Sequence, residues 1–330
     1  MELKVLSKKD IQNAVTMADA IEAVSQAYIQ LSRGKAIIPL RSQVPVEKKE
    51  GVVLFMPAFL QTTGALGAKI VSVFPQNVRS GLSTIHAVVV LMDRETGIPT
   101  ALLDGTYLTA LRTGAASGVA TALLARQNSR TAAIFGAGVQ GRTQLEAVCS
   151  VRAISKVWIF DPSPDAAKAY ASEMRERGKP IPQDISVAST PAEALRDADI
   201  VCTATTSMKP VFSDEDLLAG VHINGIGSYT PKMQEVPAET IIRSKIVVDS
   251  LTASLTEAGD LIIPLQNKIL TESDIHGEIG KVAAGDIPGR ESDSEVTFFK
   301  SVGLAVQDVA TAKLALERAA KLGLGTNIDL

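Results

Sequence analysis

Apolar positions along the chain change period several times, and each change marks an element. Residues 18–31 carry apolar side chains at helical spacing behind Thr16 and Asp19, a pair spaced as a capping box, and Gly34 is placed to stop the helix. From 37 to 103 the pattern shortens to β-rich runs at 52–56, 66–74, 84–92 and 100–103, punctuated by Gly64, Pro75, Gly81 and Gly97-Ile98-Pro99, which predicts a sheet-rich lobe. Residues 107–126 return to helix with many small side chains, and the polar RQNSR at 126–130 reads as a joint. Beyond it strands at 131–135, 156–160, 185–187, 200–203, 221–226 and 245–249 alternate with helical pieces at 139–148, 164–177, 192–196 and 217–218. That rhythm predicts an α/β fold with a parallel sheet covered by helices on both faces. A polar loop at 285–294 leads to a final helix at 305–322, expected to return to the first lobe.

The join between the strand at 131–135 and the helix after it reads FGAGVQG. Gly136, Gly138 and Gly141 fit G-x-G-x-x-G: one glycine for the tight turn, one for close approach of a pyrophosphate, one for helix–strand packing, with Val139 and Gln140 in the helix's first turn. A helix N-terminus there offers unpaired N–H groups and the positive end of a dipole to phosphate. The spacing alone is common in ordinary turns; its meaning comes from the next strand, which ends in Asp161, 25 residues beyond Gly136. A carboxylate at that distance accepts hydrogen bonds from an adenosine ribose and repels a 2′-phosphate, and Pro162-Ser163-Pro164 offers no arginine to neutralise one. The expected cofactor is NAD, with NADH preferred over NADPH.

The 330 residues suffice for two domains, and 46% apolar content supplies their cores. A net charge of −3 with interspersed signs argues against nucleic acid, since the basic clusters Lys8-Lys9 and Lys48-Lys49 are short. Cys149 and Cys202 sit in apolar runs and are expected as buried thiols, which suits the cytoplasm. The N-terminal MELKVLSKKD lacks an apolar signal core, and no apolar run approaches the ~18 residues that span a bilayer, so neither export nor a membrane anchor is expected. His86, His222 and His276 lack metal-ligand spacing, and no metal is expected. No G-x-S-x-G turn occurs, and Asp197/Asp199 and Asp214/Glu215/Asp216 read as helix-terminal charges.

Four blocks in order, LRTGAASGVAT at 111–121, FGAGVQG at 135–141, GIGSYTPKMQEVP at 225–237 and FFKSVGLAVQDVATA at 298–312, make the chain resemble the ornithine cyclodeaminase and μ-crystallin family over nearly its whole length. The resemblance implies an NAD(P)-binding Rossmann domain, over 127–304, and an α+β substrate-binding and dimerisation domain over 1–126 completed by 305–330, assembled as a homodimer. The family spans ornithine cyclodeaminases, alanine dehydrogenases, cyclic ketimine reductases, opine-type imine reductases and a hormone-binding crystallin.

By the same resemblance Arg112 in LRTG and Arg41 in IPLRSQV hold a substrate carboxylate, a role that suits the bidentate guanidinium, and Lys69 in GAKIVSVFP is the active-site lysine. Lys69 interrupts an apolar stretch, so a partly buried amine with a lowered pKa is expected. Thr113, Thr203, Thr205, Gly227 and Ser228 are implied in the cofactor site. Two positions depart from the family: Tyr229 stands where cyclodeaminases and alanine dehydrogenases have Asp, and Leu54 where ornithine cyclodeaminases have Glu. Reduction of a preformed cyclic imine needs one hydride and one proton and no such carboxylates. The expected activity is NADH-dependent reduction of a small cyclic 2-imino carboxylate, with an alanine-type dehydrogenase, an ornithine cyclodeaminase and a non-catalytic crystallin-like binder as alternatives.

Overall fold

The computed structural model describes residues 2–330, and its contacts divide the chain into two compact units: one runs through Arg112 and is joined by Leu304–Leu330, the other is Thr113–Gly303. The division falls inside helix Gly105–Leu124, upstream of the polar joint at 126–130. The physical reason lies in the small residues of that helix. A Cβ on Gly114 would lie 2.4 Å from the Thr143 carbonyl oxygen of the glycine-turn helix Val139–Val151, so the second half of the long helix packs with residues that follow it.

The second unit is built on an eight-stranded sheet in the order Ile185–Val187, Lys156–Phe160, Thr131–Phe135, Ile200–Thr203, His222–Gly225, Thr297–Lys300, Lys245–Val248, Ile275–Glu278. Every neighbouring pair is parallel. The run TAAIF shows why such strands lose polar alternation: Ala133 and Phe135 enter a core on one face with Val201, Ile223, Phe298 and Val248, while Ala132 and Ile134 enter the core on the other with Leu145, Val148, Ile159 and Tyr170. Strand order reverses between Thr131–Phe135 and Ile200–Thr203, the position at which open α/β sheets bind ligands beyond the strand C-termini. Residues 217–218, expected as helix, are not helical: a 3-10 turn occupies Asp214–Asp216 and Leu217 is already extended (φ −84°, ψ 135°).

The first unit carries the sheet Thr326–Asp329, Glu2–Leu6, Pro99–Asp104, Ile85–Met92, Ala65–Val73, Gly51–Leu60, Ala36–Ile37, with Ser42–Val46 also paired to Gly51–Leu60. All its pairings are antiparallel except that of Glu2–Leu6 with Pro99–Asp104. Helices Met17–Ser32 and Ala305–Leu322 pack together, and the latter lies against Ala65–Val73 and Gly51–Leu60. Thr16 caps the first by the predicted box: its hydroxyl accepts from Asp19 N–H and Asp19 accepts from Thr16 N–H. Asp19 also receives the Arg318 guanidinium of the final helix. The opposite sheet face is apolar yet exposed. Phe55, Ile70 and Val88 lie side by side across three strands and are 40%, 37% and 39% accessible.

Candidate active site and cofactor cradle

Strand Thr131–Phe135 ends at Gly136, whose φ of +103° lies in the region that favours glycine; a Cβ there would meet the Ala204 carbonyl oxygen at 2.5 Å. Gly141 is required for a different reason, because its Cβ would lie 2.1 Å from the Gly136 oxygen. Gly138 caps helix Val139–Val151 with no side-chain bond, and a Cβ on it would meet nothing within 4 Å. The cradle is thus closed at Gly136 and Gly141 and open at Gly138, with an uncapped helix N-terminus behind it. Val139 is exposed in that first turn, and the buried Oε1 of Gln140 has no partner. Asp161 stands against the same loop, accepting from Ala137 N at 2.9 Å and Ser163 N at 2.9 Å. This donor set fits a dinucleotide pyrophosphate and ribose.

Thr203, Thr205, Gly227 and Ser228 come together around a side chain that no motif marks. The fully buried Glu235 accepts from Thr205 N (2.6 Å) and Thr205 Oγ1 (2.7 Å) at one oxygen, and from Gly227 N (2.6 Å), Ser228 N (3.1 Å) and Thr203 Oγ1 (2.9 Å) at the other. Burial and the neighbouring Asp260 push its pKa up. The two threonine hydroxyls expected to face a cofactor therefore donate to Glu235. Its only sequence signal was an isolated acid inside the block GIGSYTPKMQEVP. Thr113 is buried, and its carbonyl accepts from Gln144 Nε2 at 3.4 Å.

In the first unit Lys69 points inward from Ala65–Val73, in register with Met56 and Val89, and is 1% accessible. Its ammonium meets both oxygens of Asp308, at 2.9 and 2.8 Å, and the same carboxylate receives Arg112 Nε at 3.0 Å. Arg112 Nη1 donates to Gln307 Oε1 at 2.6 Å, and Gln307 Nε2 donates to the Tyr28 hydroxyl at 2.5 Å. Burial and the adjacent Arg112 lower the Lys69 pKa to about 8 against the opposing pull of Asp308, and Arg41 adds a smaller lowering. Arg41, part-buried, immediately precedes strand Ser42–Val46. Leu54 pairs in register with Val71. Tyr229 is exposed in the other unit, and partial desolvation raises its pKa.

Asp308 and Gln307 were not among the expected site residues. Their signal was present: both are polar positions on a face of the final helix that otherwise buries Ala305, Val309 and Ala312. Tyr229 and Leu54 bring no carboxylate, and the one that meets Lys69, Asp308, comes from this helix. Elsewhere, His222 is buried with its pKa lowered to about 3, and among the described residues no three His, Cys, Asp or Glu side chains gather to hold a metal ion.

A glycine-turn strand–turn–helix on an all-parallel sheet, and a buried lysine–carboxylate–arginine cluster, mark the chain as an α/β oxidoreductase of the dinucleotide-dependent class. More narrowly, the chain belongs to the ornithine cyclodeaminase/mu-crystallin family, whose model matches residues 1–322. It is 43% identical over 327 residues to a Δ1-pyrroline-2-carboxylate reductase of Bacillus cereus, covering 98% of this chain and 99% of the relative. Among solved structures it is similar to the Thermococcus litoralis Δ1-pyrroline-2-carboxylate reductase in complex with NADH and L-proline (44% identity, TM-score 0.95, covering 99% of this chain and 100% of that one). It is likewise similar to an archaeal alanine dehydrogenase dimer with bound NAD (38% identity, TM-score 0.92, all of both chains).

Proposed function

We propose that the protein uses NADH to reduce a small cyclic 2-imino carboxylate of the Δ1-pyrroline-2-carboxylate or Δ1-piperideine-2-carboxylate type to the cyclic amino acid. The observation that carries this is the buried Lys69, held by Asp308 beside Arg112, in a chain more than 40% identical to reductases of that substrate. Arg112, helped by Arg41, holds the carboxylate through a charge-assisted fork; the ion pair with Asp308 and the hydrogen bond to Gln307 hold the guanidinium in place. Lys69 donates a proton to the imine nitrogen, and its lowered pKa makes that proton easier to release near neutrality. NADH, held at the glycine cradle and Asp161, would supply the hydride that the imine carbon takes up. Addition of one hydride and one proton across C=N gives the ring amine, so no water and no leaving group need managing. Leu54 presents no carboxylate to a second substrate amine, which favours a preformed ring over ornithine.

In this reading residues 127–304 form the cofactor domain, with Gly136, Gly138, Val139, Gln140 and Gly141 cradling the pyrophosphate and Asp161 selecting NADH over NADPH. Residues 1–126 and 305–330 form the substrate and dimerisation domain. The apolar rows Phe55–Ile70–Val88 and Phe59–Leu66–Met92 are the surface a second copy covers. A cytoplasmic setting is supported by Cys149 and Cys202, both unpaired buried thiols. A second reading, alanine dehydrogenation, is favoured by the presence of Asp308 at the lysine and by likeness to the archaeal alanine dehydrogenase. Against it, both Asp308 oxygens are engaged by cations.

The deciding experiment compares kcat/KM for Δ1-pyrroline-2-carboxylate with NADH against ornithine and alanine with NAD. The imine should lead by about tenfold or more. Proline formed from ornithine, or alanine oxidised, at comparable efficiency would overturn the assignment, and no turnover with any of them would point to a ligand-binding role.

A further inference from the structure

Glu235 has no place in the chemistry above, yet it is among the most heavily bonded side chains of the second unit. Its five donors come from the end of strand Ile200–Thr203 and the loops that leave it and the neighbouring parallel strand His222–Gly225. Both loops lie on the far side of the topological switch from the glycine cradle and Asp161. The nearer one abuts the cradle itself, since a Cβ on Gly136 would meet both Ala204 and Thr205. In a doubly wound sheet each side of the switch takes one mononucleotide half. With the adenosine half assigned to Asp161, the nicotinamide half falls to the loops that Glu235 ties together.

The tie is close and doubly supported. A Cβ on Gly227 would lie 2.2 Å from the Thr205 oxygen and 2.4 Å from Glu235 Oε1, so loop, carboxylate and loop are in direct contact. Glu235 is itself fixed from behind: Asp260 accepts from Glu235 N (2.7 Å) and Val236 N (3.1 Å), and pairs with the buried Lys300 (3.1 Å), which donates to the Gly225 oxygen. A carboxylate is required here. Thr205 N–H points at one oxygen and Gly227 and Ser228 N–H at the other, so a glutamine in either orientation sets its NH2 against a backbone donor.

We propose that Glu235 is a positioning residue for the nicotinamide half of the cofactor site, acting by clamping the 203–205 and 226–228 loops at one separation. The inference rests on the dinucleotide reading given above. It is tested by calorimetric titration of the full-length protein with NADH and, separately, with ADP-ribose, which lacks the nicotinamide. Glu235→Gln should weaken NADH by about tenfold or more while ADP-ribose binding stays within about twofold. Loss of both ligands in parallel would reduce Glu235 to a general structural role and overturn the inference, as would unchanged NADH binding. Should Glu235→Gln fail to fold, Thr203→Val decides: it deletes one buried donor to the same carboxylate isosterically and should weaken NADH selectively by about threefold, an unchanged NADH affinity being the contrary result. A wild-type protein that binds ADP-ribose and NADH equally weakly would instead overturn the dinucleotide reading, and this inference with it.

Discussion

Lys69 Nζ and Asp308 Oδ2 lie 2.8 Å apart although 239 positions separate the two residues, and neither is exposed. A buried cation held by one carboxylate and faced by a second cation, Arg112, has its proton affinity set by geometry that the fold alone supplies. The pH behaviour of the protein should report it.

With the Lys69 pKa at about 8, kcat/KM for imine reduction should fall as pH rises through 8, because the protonated amine is the proton source. Asp308 is a force that raises that pKa, so Asp308→Asn should move the alkaline limb to lower pH. Stability has the opposite slope. The folded pKa lies below the ordinary 10.5, so between about 8 and 10.5 the unfolded chain binds more protons and stability rises with pH; below 8 both states are protonated and the penalty of burying the cation is fully present. A rate profile flat across this window would remove Lys69 from proton transfer.

Arg112→Ala deletes a charge-assisted partner of the substrate carboxylate, a loss of about 2–5 kcal/mol when desolvated. KM for the imine should rise by about 30-fold at the low end of that range, with NADH affinity retained. Because Arg112 also lowers the Lys69 pKa, the alkaline limb should move upward in the same variant. Steady-state kinetics with NADH titrated separately checks both effects.

Asp161→Ser should narrow the preference for NADH over NADPH, measured as the ratio of kcat/KM values. The repulsion of a 2′-phosphate disappears with the carboxylate. NADH should also bind somewhat more weakly, since Ala137 N loses its acceptor. A wild-type enzyme more efficient with NADPH would contradict the role given to Asp161.

Ile70→Asp places a charge in the middle of the row Phe55–Ile70–Val88. If that face is the dimer surface, light scattering should show a homodimer for the wild type and a monomer for the variant. A wild-type monomer at micromolar concentration would leave the apolar face unexplained.

What the sequence determined by itself is local. Strand Thr131–Phe135, the three glycines and helix Val139–Val151 were legible because each depends on neighbours in the chain: an apolar run, a positive φ at Gly136, a helix start without a blocking side chain. The Thr16–Asp19 box and the final helix at 305–322 were legible for the same reason, and βα alternation indicated a parallel sheet. The tertiary structure decided what no local period encodes. Strand order put Thr297–Lys300 between His222–Gly225 and Lys245–Val248, and the rotation of the final helix turned Asp308 and Gln307 toward Lys69 and Arg112. The same assembly gathered Thr203, Thr205, Gly227 and Ser228 on Glu235, a shared partner that no spacing along the chain indicated. Burial is the physical reason: a charged side chain removed from water must find partners from whichever elements pack beside it, and those partners are fixed by packing, not by spacing along the chain.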